Sequence, residues 1–188
     1  MKLILVRHGE TEENKRGILQ GHLPGKLSPL GLEQTKKLAL RLKDEKIDVI
    51  YSSDLARASD TAKEIAKFHP NAKLLFVQEL REKNQGSLTG KLIKEIDWSK
   101  PRDTEKKEAM LERAKKILRD VYKKHKDQTV LFVSHGGLIR VLTTILMNKP
   151  IEYRKELEEP MNTGVSIFEL MEDNNHKIVL INCGKHLD

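Results

Sequence analysis

The sequence predicts an α/β domain, and three observations carry that expectation. Strand-like and helix-like signals alternate along the chain. Two short apolar runs, at 2–6 and 129–133, each pass straight into a histidine followed by a glycine. The 188 residues contain no repeat, no low-complexity segment and no linker, so one domain spanning 1–188 is expected.

The elements follow in order. Residues 2–6 form a β-rich apolar run short enough for a buried strand. Ser28-Pro29 is an N-cap followed by a first-turn proline, which starts a helix expected to reach about Lys46 with Leu32, Leu38, Ala39 and Leu42 inward. A strand is expected at 48–51, then a helix capped by Ser53 or Asp54 and ending near Phe68, before His69-Pro70. Residues 74–77 read as a strand. The stretch 79–100 reads as loop, with a short helix near 91–96. A long amphipathic helix is expected over about 104–124, a buried strand over 129–133 and a helix over 137–147. Two strands, 165–171 and 177–182, are joined by the turn signal Asp173-Asn174-Asn175.

Composition narrows the function classes. One cysteine, Cys183, allows no intramolecular disulfide, which favours a reducing, cytoplasmic setting. The apolar run at the N-terminus is too short for a signal peptide or a membrane span. The formal net charge is +7, with 34% charged and 4% aromatic residues. Lysines and glutamates are interspersed, as in Lys106-Lys107-Glu108, so most of the charge forms a solvated, ion-paired face. Trp98, Tyr51, Tyr122 and Tyr153 are too scattered for a stacking platform, which argues against nucleic acid.

The two strand ends are the most informative local pattern. One runs into Arg7-His8-Gly9-Glu10, the other into Ser134-His135-Gly136-Gly137. If both strands are parallel members of one sheet, both histidines lie at its carboxyl edge, where open α/β sheets hold their ligands. The strand at 48–51 would bring Arg57 to the same edge. Two arginines, two histidines and a helix N-terminus define an oxyanion pocket, and phosphate fits arginine forks.

These residues resemble the signature of the histidine phosphatase superfamily, the phosphoglycerate mutase-like group. Arg7-His8-Gly9-Glu10-Thr11, with Asn14 and Gln20-Gly21, matches its first motif. Leu27-Ser28-Pro29-Leu30-Gly31 with Gln34 follows in order, then Ser52-Ser53-Asp54-Leu55-Ala56-Arg57-Ala58 with Thr61-Ala62. Next come Leu80-Arg81-Glu82 with Gly86 and Gly90, then Val133-Ser134-His135-Gly136-Gly137, and Asn162-Thr163 near the end. The resemblance implies a three-layer α/β/α sandwich around a mostly parallel sheet.

It also implies a covalent mechanism. His8 is then the nucleophile that forms a phosphohistidine, with a backbone carbonyl holding its other ring nitrogen. Arg7, Asn14, Arg57, His135 and the Gly136 amide surround the phosphoryl oxygens. Glu82 serves as general acid/base, and the spacing from Glu82 to Gly86 fits the family where the rival Glu79 does not. Thr11, Gln20 and Gly21 are expected near the substrate, and His22, Lys26, Lys83, Gln85, Lys91 and Lys94 are further candidates. No metal and no cofactor are expected. The partner is a small-molecule phosphate ester, bound by a monomer or homodimer.

The stretch from Gly90 to Thr129 is short and leaves little chain for a lid, so hydrolysis is favoured over a cofactor-dependent mutase reaction. A phospho-ligand binding protein without catalysis is the other reading. Three departures from the family pattern bear on the substrate. Glu13 stands where an aromatic residue usually precedes Asn14, residues 21–26 lack the common aspartate, and Thr104-Glu105-Lys106 replace a Gly-Glu-Ser segment.

Overall fold

The computed structural model describes residues 1–188. In chain order its elements are β1 (Lys2–Arg7), α1 (Glu12–Lys15), α2 (Pro29–Leu42), β2 (Val49–Ser53), α3 (Ala56–Ala66), β3 (Lys73–Val77), α4 (Lys107–Lys124), β4 (Thr129–Ser134), α5 (Gly136–Leu146), β5 (Val165–Glu169) and β6 (Lys177–Cys183). Short 3₁₀ turns punctuate the loops, among them Gln78–Leu80, Ile93–Glu95 and Ile151–Lys155.

Successive side chains of a strand point to opposite faces, so a strand buried throughout must be covered on both sides. That is the case for β1. Leu3 and Leu5 enter one core, and Ile4 and Val6 enter the other. Tyr51 and Phe132 continue the first core, whereas Ile50, Leu131 and Val133 continue the second. Helices α4 and α5 close the first face through Ala114, Leu118, Val121, Leu138 and Leu142. Helices α2 and α3 close the second through Leu38, Ala39, Ala58, Ala62 and Ile65. The result is the expected three-layer α/β/α sandwich.

The sheet order is β3-β2-β4-β1-β5-β6. β3, β2, β4 and β1 run parallel, β5 is antiparallel to β1, and β6 is antiparallel to β5. β1 and β4 are neighbours, yet their following helices depart to opposite faces: α2 covers the second core and α5 the first. A crevice must therefore open between them at the carboxyl edge of the sheet. No helix is long and apolar enough to cross a membrane.

The differences from the sequence reading have physical causes. Leu32 is exposed; the buried stripe of α2 is Gly31, Thr35, Leu38, Ala39 and Leu42. Leu32 lies at the margin of that stripe, in the first turn of the helix and about 20° of helix rotation beyond Ala39. Gly31 is buried because the loop after β1 presses on it. A Cβ there would stand 1.9 Å from the carbonyl oxygen of Glu10. This close approach seats residues 8–10 against the start of α2. Helix α3 takes Leu55 as its N-cap and has no side-chain cap: the Ser53 hydroxyl accepts from the Leu55 amide just ahead of the helix, and the Asp54 carboxylate is held by Arg81. Helix α4 begins at Lys107 rather than near Thr104, since Glu105 leaves the helical path to pair with Arg113.

Candidate active site

His8 follows β1 directly and is almost completely buried. Its Nδ1 lies 2.7 Å from the carbonyl oxygen of Gly9. A carbonyl can only accept, so Nδ1 carries the proton and Nε2 is left with a lone pair. The Arg57 Nε–H donates to that lone pair over 3.2 Å. Burial first, then the Arg57 and Arg7 cations, hold His8 well below the usual histidine pKa and keep it neutral.

His135 is the N-cap of α5 and is fully buried, with its ring centroid 5.1 Å from that of His8. Its Nε2 lies 2.9 Å from the Ser53 hydroxyl, which already accepts from the Leu55 amide at 3.3 Å. Nε2 is the acceptor within reach of the buried Ser53 hydroxyl proton, and with Ser53 donating to it Nδ1 carries the N–H of His135. Nδ1 has no partner in the protein, and neither does the buried Nε of Arg7. Unpaired buried donors are costly, and two beside the same nucleophile point to an anion as their partner. Burial and the Arg57, His8 and Arg7 groups also keep His135 well below the ordinary value.

Arg57 sits in the first turn of α3 and is 1% exposed. Besides His8, its guanidinium donates to the carbonyls of Gly21 at 2.9 Å and Leu23 at 2.5 Å. Thr61, one turn further along α3, accepts from the Gly9 amide at 3.2 Å and donates to the Arg57 carbonyl at 2.8 Å. The helix carrying Arg57 is in this way tied to the loop carrying His8. Arg7 donates to the Pro160 carbonyl at 2.5 Å and pairs with Glu159 at 3.2 Å.

Glu82 leaves the 3₁₀ turn Gln78–Leu80 and reaches the N-terminus of α5. Its carboxylate accepts from the Gly137 amide at 3.0 Å and from the Lys83 amide at 2.8 Å. Gly137 must be glycine for this approach, because a Cβ there would stand 2.4 Å from Glu82 Oε1. The sequence rival Glu79 instead faces Lys116 on α4.

Arg7, His8, Arg57 and Glu82 line one cleft of about 590 Å³ with Asn14, Gln20, Gly21, Lys83 and Gln85, while His135 is fully buried against His8 and outside that lining. Asn14 is anchored by a reciprocal cap: its Oδ1 accepts from the Thr11 amide and hydroxyl, and its own amide donates back to Thr11. Thr11 is committed to this cap. It is fully buried, outside the cleft lining, and serves as the N-cap of α1. Gly136 lies behind the cleft surface, packed against Arg7 and Glu159. Lys26, Lys91 and Lys94 fall outside the lining. His22 does too; its Nε2–H donates to the Glu82 carbonyl at 2.9 Å. No three His, Cys, Asp or Glu side chains gather closely enough to hold a metal ion.

Several contributors were not assigned a role from sequence. Ser53 and Thr61 belong to quoted motifs, but their hydroxyl partners lie far along the chain. Asn162 donates to the His8 carbonyl at 3.0 Å, and the Thr163 amide donates to the Arg7 carbonyl at 3.0 Å. Thr163 adopts a φ of 59°, a strained conformation for a β-branched residue, at the point where it touches the nucleophile's backbone. Arg140, Arg154, Trp98 and Glu159 complete the mouth of the cleft.

A neutral imidazole whose Nε2 lone pair meets only an arginine N–H, with further arginines around it and a carboxylate at a helix N-terminus opposite, defines a phosphoryl-transfer enzyme of the phosphatase class. The chain belongs to the histidine phosphatase superfamily, branch 1, whose family model matches residues 3–184. It is 30% identical to the phosphoglycerate mutase-like protein 4 of Arabidopsis thaliana, over 100% of this chain and 87% of that protein. It is 36% identical to the phosphoserine phosphatase 1 of Hydrogenobacter thermophilus, over 78% of this chain and 76% of that protein. Among solved structures it superposes with a TM-score of 0.88 on a mutant phosphoserine phosphatase from Entamoeba histolytica in complex with phosphoserine. That match has 27% identity and covers 100% of this chain and 99% of the other.

The two buried histidines make stability depend on pH in a definite direction. Their folded-state pKa values lie below the unfolded value near 6.5. Above that value both states are neutral at these positions and nothing is lost. As pH falls below it, the unfolded chain binds protons that the folded chain refuses, so stability declines. Each group contributes a slope of about 1.4 kcal/mol per pH unit until its folded pKa is reached. His186, held at about 4 by burial and Arg41, adds to the same trend. Urea midpoints are expected to fall steadily from pH 7 to pH 5. A flat profile over that range would contradict the neutral assignment of His8 and His135.

Proposed function

We propose that the chain is a metal-independent phosphomonoesterase acting on small phosphorylated metabolites through a covalent phosphohistidine at His8. The observation that carries this reading is the bond from His8 Nδ1 to the Gly9 carbonyl, which leaves Nε2 as a neutral nucleophile among cations. On binding, a phosphoryl group takes the place of Arg57 at Nε2, and the Arg57 Nε–H turns to a phosphoryl oxygen. The Arg7 Nε–H and His135 Nδ1–H, otherwise unpaired, are the further donors. Glu159 gives up its hold on Arg7 as the phosphoryl oxygens arrive.

The Nε2 lone pair then forms the P–N bond while the ester P–O bond breaks, and protonated Glu82 delivers its proton to the leaving oxygen. Water next attacks phosphorus, Glu82 takes the water's proton, the P–N bond breaks and inorganic phosphate leaves. Hydrolysis rather than transfer to a second hydroxyl is supported by the short segment between Gly90 and Thr129. It holds one 3₁₀ turn and α4.

The leaving group is argued to carry an acidic group. Lys83 lines the cleft beside Glu82, and burial, Arg154 and Arg102 in that order press its ammonium below the usual lysine range. A substrate carboxylate there relieves this repulsion. Phosphoserine, bound by the Entamoeba relative, has that chemistry.

The test is phosphate release in chelator from 3-phosphoglycerate and phosphoserine, set against glycerol 3-phosphate. Release is expected to persist, with kcat/KM at least about tenfold higher for the carboxylated esters. Lys83→Met is expected to shrink that preference. Loss of all release on chelation would overturn metal independence, and equal rates would overturn the acidic leaving group. Formation of 2-phosphoglycerate without free phosphate would make the enzyme a mutase.

A further inference from the structure

The carboxylate of Glu82 enters the cleft from a strap, residues 79–84, that has no regular structure beyond the end of one 3₁₀ turn. Such a segment does not by itself hold a proton donor to a fraction of an ångström. Here the strap is held from behind. Arg113 on α4 donates to the carbonyls of Glu79 at 2.8 Å, Arg81 at 2.9 Å and Glu82 at 3.3 Å. The Ser134 hydroxyl takes the Leu80 carbonyl at 2.8 Å, and His22 takes the Glu82 carbonyl from the other side. Every carbonyl from Glu79 to Glu82 is thus fixed by a side chain of another element.

Arg113 is itself immobilised. Glu105 grips it with both oxygens, at 2.7 and 3.0 Å, and this pair is largely shielded from solvent. Glu105 in turn accepts from the Asn84 amide at 3.2 Å, while its own amide donates to the Asn84 carbonyl at 2.8 Å. The pair therefore grips both ends of the strap. Arg113 does not line the substrate cleft; it lines a separate polar cavity of about 560 Å³ behind the strap, with His22, Arg81 and Glu105. Its hydrogen bonds toward the site all end on the strap that carries Glu82 and on Glu105.

We infer that Arg113, held by Glu105, is the positioning residue for the general acid: its guanidinium sets how far the Glu82 carboxyl reaches toward the leaving oxygen. This rests on Glu82 being the acid. The inference predicts a specific kinetic signature. An alkoxide leaving group needs the proton, whereas p-nitrophenolate is weakly basic and departs without it. A misplaced Glu82 must therefore slow the P–O cleavage step selectively for alkyl phosphates, whereas the later hydrolysis step, which also uses Glu82, is common to both substrates.

Arg113→Met is expected to lower kcat/KM for phosphoserine by about 30-fold or more, with kcat/KM for p-nitrophenyl phosphate within about threefold of wild type, because kcat/KM ends at P–O cleavage and excludes the phosphohistidine hydrolysis common to both substrates. Arg113→Lys keeps the charge but not the fork across three carbonyls, so it is expected to behave like the methionine variant. Glu105→Gln should shift the same ratio in the same direction. Glu82→Gln is run beside them and in combination with Arg113→Met. If Arg113 acts through Glu82, the double variant is no slower than Glu82→Gln alone. Equal losses of kcat/KM on both substrates, or additive effects on kcat/KM in the double variant, would each overturn the positioning role. A Glu82→Gln enzyme without selectivity between the two substrates would instead overturn Glu82 as the acid. Measurements are made well below each variant's melting temperature; a variant too unstable for that is replaced by the Lys or Gln form.

Discussion

Replacing His8 with alanine is expected to lower phosphate release by about four orders of magnitude or more while leaving the fold intact. The size of the loss follows from the kind of step removed. A nucleophile is not one of several contributions to binding; without it the two-step displacement has no first step, and only the electrostatic surroundings remain. Those surroundings survive in the variant. Arg7, Arg57 and His135 are held by contacts to Pro160, Gly21, Leu23 and Ser53 that do not involve the His8 ring. Binding of inorganic phosphate should persist, so the loss falls on kcat. The covalent intermediate gives an independent reading. Wild-type enzyme mixed with labelled substrate and quenched in alkali should retain label on the protein, and His8→Ala should not. Residual turnover above about one per cent in the variant would place the nucleophile elsewhere.

The parts of the fold that were legible in the sequence are those set by local chemistry. The strands β1 and β4 are runs of β-branched and apolar residues buried on both faces, a pattern that no helix surface would show. Ser28-Pro29 marks the start of α2 because the capping hydroxyl and the fixed proline φ act within one turn; Ser28 accepts from the Gly31 amide at 3.0 Å. His8 and His135 could be placed together because each ends a strand, and neighbouring parallel strands bring their ends to one edge.

What escaped the sequence is set by distant partners. Ser53 has the composition of an N-cap, but His135, 82 residues away, engages its hydroxyl. Thr11 sits in the signature beside the nucleophile, yet its hydroxyl is committed to Asn14 and it never reaches the cleft. Leu32 is apolar but exposed; the pressure of Glu10 on Gly31 sets the actual stripe. The run Thr104-Glu105-Lys106 shows nothing of its role locally. The residue that matters there is Glu105, whose partner Arg113 stands eight residues along and outside any motif. Asn162 and Thr163 show no role in their local sequence, because their partners are the carbonyls of Arg7 and His8, over 150 residues earlier.

Arg57→Met is expected to be the other severe change, and it should damage stability and catalysis together. Arg57 is the largest of the fully buried side chains. Desolvation, its main perturbation, draws its pKa down to about 10, so it remains a cation at neutral pH. It holds that charge inside the protein by donating to the Gly21 and Leu23 carbonyls and to His8. Methionine fills much of the volume but leaves those acceptors without donors, at a cost of roughly 2–4 kcal/mol. For a domain of this size that lowers the melting temperature by about 5–15 °C. The loop at 21–24, which carries cleft residue Gly21, should loosen first. On the chemical step, losing a preorganised cation from the phosphoryl oxygens should lower kcat by about a further 100- to 1,000-fold beyond any effect on binding. Arg57→Lys separates the two consequences. A lysine keeps the charge and can satisfy one carbonyl, so part of the stability should return. Its single ammonium cannot span the 21–24 carbonyls and still present a donor at the position of Nε beside His8, so kcat should stay close to that of the methionine variant. Recovery of more than about half of the wild-type rate by lysine would show that net charge alone suffices. The fork geometry, which links the loop, the nucleophile and the phosphoryl group through one planar side chain, would then not be what the site requires.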